Sequence, residues 1–223
     1  MHLFTYIMTS NTGMSPNPFA EYLTLACCKP QIRKLAKIGD WVVGIRGKIL
    51  FDKTQKGVFP GQKEIFKIIY AFEVIEKLTF EGYWNDKRFE NKKPNMKSEL
   101  DKDRCGDNFY EPTSHNSYIQ KDSMHSNFNK NTKEYSENDK HKKNDTHSNN
   151  VLISGVNNFW FFGSNPLCIP YDLKSFANDY KSFRQHKVFS KNSDKLVSYI
   201  TRHPSQLNHE NNYSSNLCKY KIC

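Results

Sequence analysis

PNPFAEYLTLACCKPQIRKLAKIGDWVVG, from Pro16 to Gly44, carries the densest local structural signals in the chain. Pro30 suits the first turn of a helix, where its missing N–H would have no partner anyway. Apolar residues at helical spacing follow it, and Gly39 favours a left-handed stop. The β-prone residues after Trp41 then indicate a strand. We therefore predict a helix, a tight turn and a strand, in that order.

Apolar and β-prone runs on either side of this stretch indicate further strands. The first is His2–Met8, and Leu23–Cys28 is either a short buried strand or the lead-in to the helix. Ile65–Lys77 is almost continuously apolar in its middle, which is typical of a central strand buried on both faces. Ile49–Phe51 is a candidate partner for the strand that begins at Trp41.

The later part of the chain mixes strands with short helices. Thr79–Phe89 is either a short helix or an aromatic-rich loop, and residues 151–163 form a strand pair or one bulged strand. Asp172–Phe183 and Asp194–Arg202 have helix starts and apolar residues at helical spacing. This order predicts an α+β protein: a small mixed, mostly antiparallel β-barrel or curled sheet with a few short helices.

The length of 223 residues fits one ordinary domain. Residues 1–125 are expected to form its N-terminal part and residues 151–203 its C-terminal part. Residues 126–150 are rich in Lys and Asn, which predicts a disordered polar insertion. Residues 204–223 are expected to be a frayed tail.

The formal net charge is +10, with a pI near 9.2, which fits a polyanionic partner such as nucleic acid. The alternative is a general excess of Lys and Asn in the composition. No segment approaches the roughly 18 to 20 apolar residues of a membrane span, and the start lacks a basic leader. We expect a cytoplasmic protein without a membrane partner.

The six cysteines have irregular spacing and no CxxC pair. Free thiols are the expected state, because no secretory signal precedes them. A zinc site would need closely spaced ligand pairs, and the adjacent Cys27 and Cys28 make a poor one. No metal and no cofactor is predicted.

Three groups of residues are candidates for a site. Lys29 and Arg33 flank the start of the predicted helix, where free N–H groups favour phosphate; the alternative is an ordinary solvated basic face. A set of aromatic residues could stack a base or belong to the core. This set comprises Trp41, Tyr83, Trp84, Tyr110 and Trp160, with Asp86 and Arg88 beside the Tyr83–Trp84 pair.

The third group is polar. Asp107 and Asn108, with Ser123 and His125, could bind a base edge, and Asp107 with His125 could act as an acid/base pair. The alternative is that they are solvated loop residues. Cys27 or Cys28 with His125 is a further nucleophile and base combination, but sequence separation leaves their proximity open.

Several ordered motifs resemble one family. PNPF, TLACCKP, GDW, YAFEV, YWNDKRF, GDNFY, VLIS and FFG follow one another between residues 6 and about 170. They resemble the nucleotide-modification-associated domain family, second type. That resemblance implies a role with modified nucleotides in DNA, in phage and mobile elements. The Gly-Asp turn and the long strand also resemble the PUA, ASCH and EVE barrels, some of which bind modified bases in an aromatic pocket.

The resemblance implies a protein that recognises a modified base or nucleotide in a DNA-modification system. The alternative is an enzyme that makes or edits a modified nucleotide with Asp107 and His125 as its acid/base residues. DNA or a modified nucleotide is the expected partner. The implied nucleotide-binding residues are Asn17, Lys29, Arg33, Asp40, Tyr83, Trp84, Asp86, Arg88, Asn108 and Tyr110.

Overall fold

A computed structural model describes residues 1–47, 67–113, 117–163, 165–177 and 185–205. Four expectations lie outside these residues, wholly or in part: the strand at Ile49–Phe51, the first two residues of Ile65–Lys77, the second half of Asp172–Phe183, and the tail beyond residue 205. The chain divides into two compact units, where the sequence predicted one domain. Unit 1 is Met1–Thr12, Ala36–Ile75 and Val156–Cys223, and unit 2 is Gly13–Leu35 and Glu76–Gly155.

Short strands and short helices alternate along the chain. In order, the elements are β1 (Leu3–Met8), β2 (Tyr22–Leu25), α1 (Pro30–Leu35), β3 (Trp41–Arg46), β4 (Lys67–Glu73), β5 (Glu76–Leu78), α2 (Phe80–Asn85), a 3₁₀ helix (Lys87–Lys92), α3 (Asp101–Arg104), β6 (Tyr110–Pro112), β7 (Tyr118–Gln120), β8 (Asn127–Phe128), β9 (Tyr135–Ser136), α4 (Asp139–Asp145), β10 (Val151–Gly155), β11 (Phe159–Phe161), β12 (Leu167–Cys168), a 3₁₀ helix (Tyr171–Phe176), β13 (His186–Phe189) and α5 (Ser193–Thr201).

Unit 1 is built on one mixed sheet in the order β11-β4-β3-β1-β13, with β12 also paired to β4. β1 and β3 are parallel, and the other pairs are antiparallel. As predicted, β4 lies inside the sheet, and its residues 68–72 are buried. Apolar side chains of β3 and β4 pack with those of α5 and the 3₁₀ helix before it.

The Gly-Asp turn is part of unit 1 and has a folding role. Gly39 has a φ of +84°, which glycine adopts without a steric penalty. The Asp40 carboxylate accepts hydrogen bonds from the backbone N–H groups of His2 (2.6 Å) and Lys37 (3.0 Å). Asp40 therefore joins the start of β1 to the turn before β3.

Unit 2 contains a three-stranded antiparallel sheet in the order β2-β10-β5 and the two-stranded pairs β6-β7 and β8-β9. β10 and β11, expected as a pair or one bulged strand, belong to different sheets. The segment 126–150, for which disorder was expected, contains β8, β9 and α4. The prediction relied on apolar periodicity, and this segment has few apolar residues. Hydrogen bonds stabilise its elements more than hydrophobic burial does.

The described elements form an α+β protein with mostly antiparallel sheets and few short helices, as the sequence predicted. No closed barrel is detected among the described strands, so the barrel stays a prediction. Within the same residues, every helix is too short or too polar to cross a lipid bilayer.

Candidate functional site

A chain of three side chains in unit 2 joins a thiol, an imidazole and a carboxylate. Cys28 Sγ lies 3.7 Å from His125 Nε2, within hydrogen-bonding range for sulfur. On the other side of the ring, His125 Nδ1 lies 2.8 Å from Asp145 Oδ2. His125 and Asp145 are buried, whereas Cys28 is partly exposed. Cys28 is therefore the residue of the three that lies nearest to solvent.

The loop after β2 holds Cys28 in an unusual backbone conformation. Cys28 and Lys29 have φ values of +58° and +40°, in the left-handed region that side chains with a Cβ rarely adopt. The N–H of Cys28 donates to Asp145 Oδ1 at 2.7 Å. Such strain persists where surrounding contacts enforce it, and it is common at functional sites.

Arg33 fastens this loop to the segment that contains Asp145. Its guanidinium donates to the carbonyl oxygens of Cys28 (2.8 Å), Asp145 (2.5 Å), Ser148 (2.9 Å) and Asn150 (2.6 Å). The side chain is fully buried, whereas the sequence placed it on a polar helix face. Arg33 is thus a structural clamp for the thiol loop, because all three guanidinium nitrogens donate to backbone carbonyl oxygens inside the protein.

His125 is positioned by a tight turn and by two rings. Its backbone N–H donates to Ser123 Oγ at 3.2 Å, and Ser126 N–H donates to the Ser123 carbonyl at 3.1 Å. The edge of Phe109 meets the imidazole, with ring centres 5.8 Å apart. His141 stacks on it at 4.2 Å. His141 is an exposed residue of α4, one helical turn before the buried Asp145.

Asp145 accepts from several donors. Tyr110 donates its hydroxyl to Oδ2 at 2.8 Å, and Asn144 contacts Oδ1 at 3.3 Å. Burial alone would raise the pKa of Asp145, but its hydrogen bonds with His125 and Cys28 N–H outweigh that effect and lower it. The carboxylate is therefore ionised, and the hydroxyl of Tyr110 helps to hold it in place.

The charged forms of Cys28, His125 and Asp145 stabilise one another. Burial lowers the pKa of His125, yet its hydrogen bonds with Asp145 and Cys28 raise it overall to about 10. The hydrogen bond from Cys27 lowers the pKa of Cys28 well below its usual value, and the interaction with His125 acts in the same direction. Burial and the same thiol contact raise the pKa of Cys27. Cys28 is therefore the acidic thiol of the pair.

The same place has the donor set of a metal site. The ligand atoms of Cys27, Cys28 and His125 all lie within 4.8 Å of one another. Among the described residues, these three form the group of Cys, His, Asp or Glu side chains that could hold a metal ion. Two sulfurs and an imidazole nitrogen are ligands that zinc accepts.

Asp107 lies at a separate polar centre of unit 2. Its carboxylate is 2.9 Å from Thr24 Oγ1 and accepts from the hydroxyl of Tyr83 (2.7 Å) and the N–H of Ala26 (3.2 Å). Burial raises the pKa of Asp107, and the charge of Lys92 opposes that. Within the described residues Asp145, rather than Asp107, is the carboxylate bonded to His125.

Several expected ligand residues have structural contacts instead. Asn17 is buried and donates to the Cys105 carbonyl at 2.8 Å, while Asn108 donates to the carbonyls of Tyr83 (3.1 Å) and Phe89 (3.2 Å). Both side chains therefore tie loops of unit 2 together. Each has the environment of a core polar residue, with its hydrogen bonds made inside the protein.

The exposed candidates beside Tyr83 form ionic contacts. Arg88 bonds to both Asp86 and Glu76, which raises its pKa, and Asp86 also caps the 3₁₀ helix. Lys93 Nζ lies 4.3 Å from the centre of the Trp84 ring. Lys29 is half-buried beside Cys28, and burial lowers its pKa to about 8. Of the predicted ligands, Lys29, Arg33 and Tyr110 adjoin the thiol–imidazole–carboxylate cluster.

Sequence reasoning missed Asp145 and His141 and gave Cys28 a minor place. Both missed residues lie in the Lys- and Asn-rich segment, where charged residues are usually solvated. The one available signal was their spacing: His141 and Asp145 are four residues apart, which places them on the same face of a helix.

The fold and site thus define an α+β protein with a thiol–imidazole–carboxylate cluster in one of its two units. The chain belongs to the nucleotide modification associated domain 2 family, whose model matches residues 1–215. This confirms the resemblance seen in the motifs and associates the chain with nucleotide modification. No curated protein and no solved structure matches the chain.

Proposed function

We propose that the protein is an enzyme that makes or edits a modified nucleotide by covalent thiol catalysis. Cys28 is the nucleophile, His125 is the general base and acid, and Asp145 orients His125. The observation that carries this proposal is the continuous chain of contacts, 3.7 Å from Cys28 Sγ to His125 Nε2 and 2.8 Å from His125 Nδ1 to Asp145 Oδ2.

The three residue types suit this chemistry because each supports the next. A thiolate is a strong nucleophile, and a neighbouring imidazole removes the thiol proton. A buried carboxylate bonded to the far nitrogen fixes the ring orientation and stabilises the imidazolium. Asp145 has a second role here, since its other oxygen accepts the N–H of Cys28 at 2.7 Å. One carboxylate therefore positions both reacting residues.

In the reaction, the proton of the Cys28 thiol passes to His125 Nε2, and the sulfur forms a bond to an electrophilic carbon of the nucleotide. His125 then gives the proton to the leaving group, or to the atom that received the displaced electron pair. Water or a second substrate then attacks the same carbon and gives its proton to His125. The carbon–sulfur bond breaks with its electron pair on sulfur, and that proton returns to the sulfur. The thiol is restored without a net change in oxidation state.

The expected acid/base pair is revised in this proposal. His125 keeps its predicted role, and Asp145 takes the place given to Asp107. Asp107 instead fixes the loop that leads to Cys28, because it accepts the N–H of Ala26 two residues before the thiol. The substrate is a nucleotide or a base in DNA, in keeping with the family and with the net charge of +10.

The test compares the nucleosides of cells that express the protein with those of cells that express single variants. The wild type is expected to change the profile in mass analysis, while Cys28→Ala and His125→Ala leave it unchanged. Cys168→Ala is the matched control, because Cys168 is an exposed cysteine of unit 1. A wild-type change that persists in Cys28→Ala would contradict the proposal, as would an unchanged profile with well-expressed wild type.

A chemical measurement on the purified chain complements this test. Iodoacetamide should alkylate the partly exposed Cys28 faster than the exposed Cys168, because His125 increases the thiolate fraction at Cys28. Peptide mass analysis over a time course gives both rates in one sample. Equal or slower labelling at Cys28 would mean that the thiol is not activated.

A second candidate function is recognition of a modified base or nucleotide without catalysis. The net charge of +10 favours it, because a basic protein attracts polyanions of any sequence. Under this alternative the thiol cluster is only a structural polar centre.

A further inference from the structure

Cys27 has no role in the reaction proposed above, although its sulfur lies in the same cluster. It is fully buried, and its ligand atom lies within 4.8 Å of those of Cys28 and His125. A second thiol at this position makes the site a three-donor cluster. We infer that Cys27, Cys28 and His125 bind one zinc ion, and that zinc switches off the Cys28 nucleophile.

The spacing of the donors matches zinc. Tetrahedral zinc holds sulfur at about 2.3 Å and imidazole nitrogen at about 2.0–2.1 Å, which puts the two ligand atoms about 3.6 Å apart. Cys28 Sγ and His125 Nε2 are 3.7 Å apart. The third donor needs only a side-chain adjustment within the 4.8 Å limit. Two thiolates with one imidazole favour zinc over the hard cations that prefer oxygen.

The surroundings of His125 also suit a metal ligand. Metal-binding histidines usually bond their other ring nitrogen to a carboxylate or carbonyl, which fixes the ligating nitrogen. Here Asp145 Oδ2 bonds to Nδ1 at 2.8 Å, so Nε2 faces the two thiols. The sequence argued against a zinc site because the cysteines are adjacent. The positive φ at Cys28 changes that expectation, since it turns the chain so that both sulfurs approach one imidazole.

Zinc binding would have a direct chemical consequence. A thiolate bound to zinc shares its electron pair with the metal, and a bound His125 Nε2 cannot accept a proton. Both reacting groups of the proposed mechanism are then blocked. The binding needs no catalytic activity, whereas the switch rests on the proposed function.

The test uses the full-length, reduced protein freed of metal with a chelator and then titrated with Zn²⁺ alone. One zinc per chain is expected after gel filtration. Replacing a ligand in Cys27→Ser or His125→Ala should weaken zinc affinity by at least the ~10–100-fold known for lost supporting residues. Cys168→Ser should bind like the wild type. Co²⁺ provides an independent signal, because sulfur-to-cobalt charge-transfer absorption should disappear in Cys27→Ser.

Cys27→Ser changes a single buried atom, so circular dichroism and the thermal midpoint establish whether the variant is folded. If it does not fold, His125→Gln gives the same test on the third donor. Undiminished zinc affinity in a folded ligand variant, or no stoichiometric zinc in the wild type, overturns the inference.

The switch has its own readout. Zinc should slow the alkylation of Cys28 by iodoacetamide and leave that of Cys168 unchanged, and a chelator should restore the rate. Zinc that binds without protecting Cys28, or that increases the change in nucleosides, overturns the switch. These outcomes are separate from those of the proposed function, which depend on the metal-free thiol.

Discussion

Lys92 shows how a charged residue can be part of a core. Its ammonium group donates to Asn17 Oδ1 (2.6 Å) and to the carbonyl oxygens of Asn17 (3.2 Å), Tyr22 (2.6 Å) and Phe19. Burial lowers the pKa of Lys92 to about 7, which the charge of Asp107 opposes. These contacts hold the residues from Asn17 to Tyr22 in place. β2 begins at Tyr22, and the loop that carries Cys28 follows β2.

Lys92→Met is expected to lower the free energy of unfolding by about 3 kcal/mol. The substitution removes the four hydrogen bonds made by one buried ammonium group, and the loss of buried hydrogen bonds from a charged group is destabilising. Denaturant unfolding at constant slope measures the change. The matched control is Lys93→Met, which removes a partly exposed pair with Glu90 and should cost under about 1 kcal/mol. Equal effects at the two lysines would mean that the Lys92 contacts add nothing.

Asp145 offers a second prediction for a single residue. Asp145→Asn keeps the shape of the side chain but removes the charge that stabilises a protonated His125. The alkylation rate of Cys28 is expected to fall, because a His125 without this charge beside it is protonated less readily and stabilises the Cys28 thiolate less. Asp139→Asn, at the exposed start of the same helix, is the control. An unchanged rate in Asp145→Asn would contradict a positioning role.

At the scale of elements, α4 is the helix on which the site depends. It carries His141 and Asp145 one turn apart, although its seven residues are too few for an isolated helix to be stable. Asn138 caps it, since its side-chain oxygen accepts the N–H of His141 at 3.1 Å. The same residue donates from its backbone N–H to Gln120 Oε1 at 2.6 Å. The helix is thus held by polar contacts.

Asn138→Ala should destabilise this helix by about 1 kcal/mol, because a capping oxygen is lost. We expect faster hydrogen exchange at the backbone amides of α4 and little change in the exchange rates of the strands of unit 1. Asn138→Asp keeps the capping oxygen and should exchange like the wild type. If the alanine and aspartate variants behave alike, the cap is not what holds α4 in place.

At the scale of the whole molecule, the net charge of +10 predicts electrostatic binding to nucleic acid. The logarithm of the binding constant should fall linearly as the logarithm of salt concentration rises, because counterions are released from the phosphates. Titration with matched oligonucleotides that do or do not contain modified bases measures this. A component that depends on the modification and persists at high salt would favour the recognition alternative. Equal affinities that vanish with salt would leave only non-specific binding.

Some elements of the structure could be predicted from the sequence and others could not. β1, β3 and α5 follow from apolar pattern and turn residues, and the structure confirms them. The local sequence offered no structural reason for a buried cation at Arg33 or a buried amide at Asn17. Both residues were therefore predicted to bind a ligand. Asn17 donates to a carbonyl 88 residues away, and Arg33 donates to three carbonyls that lie 112 to 117 residues away. Local pattern carries no information about such contacts.

By itself, the sequence determined the family, the α+β class and the turn from α1 into β3, because these depend on ordered motifs and on interactions between near neighbours. The tertiary structure decided which residues form the site. Cys28, His125 and Asp145 lie far apart in the chain. Asp145 accepts the N–H of Cys28, and Arg33 ties the thiol loop to the carbonyl oxygen at the end of α4. Hydrogen bonds between distant segments assemble the site, and no local periodicity encodes them.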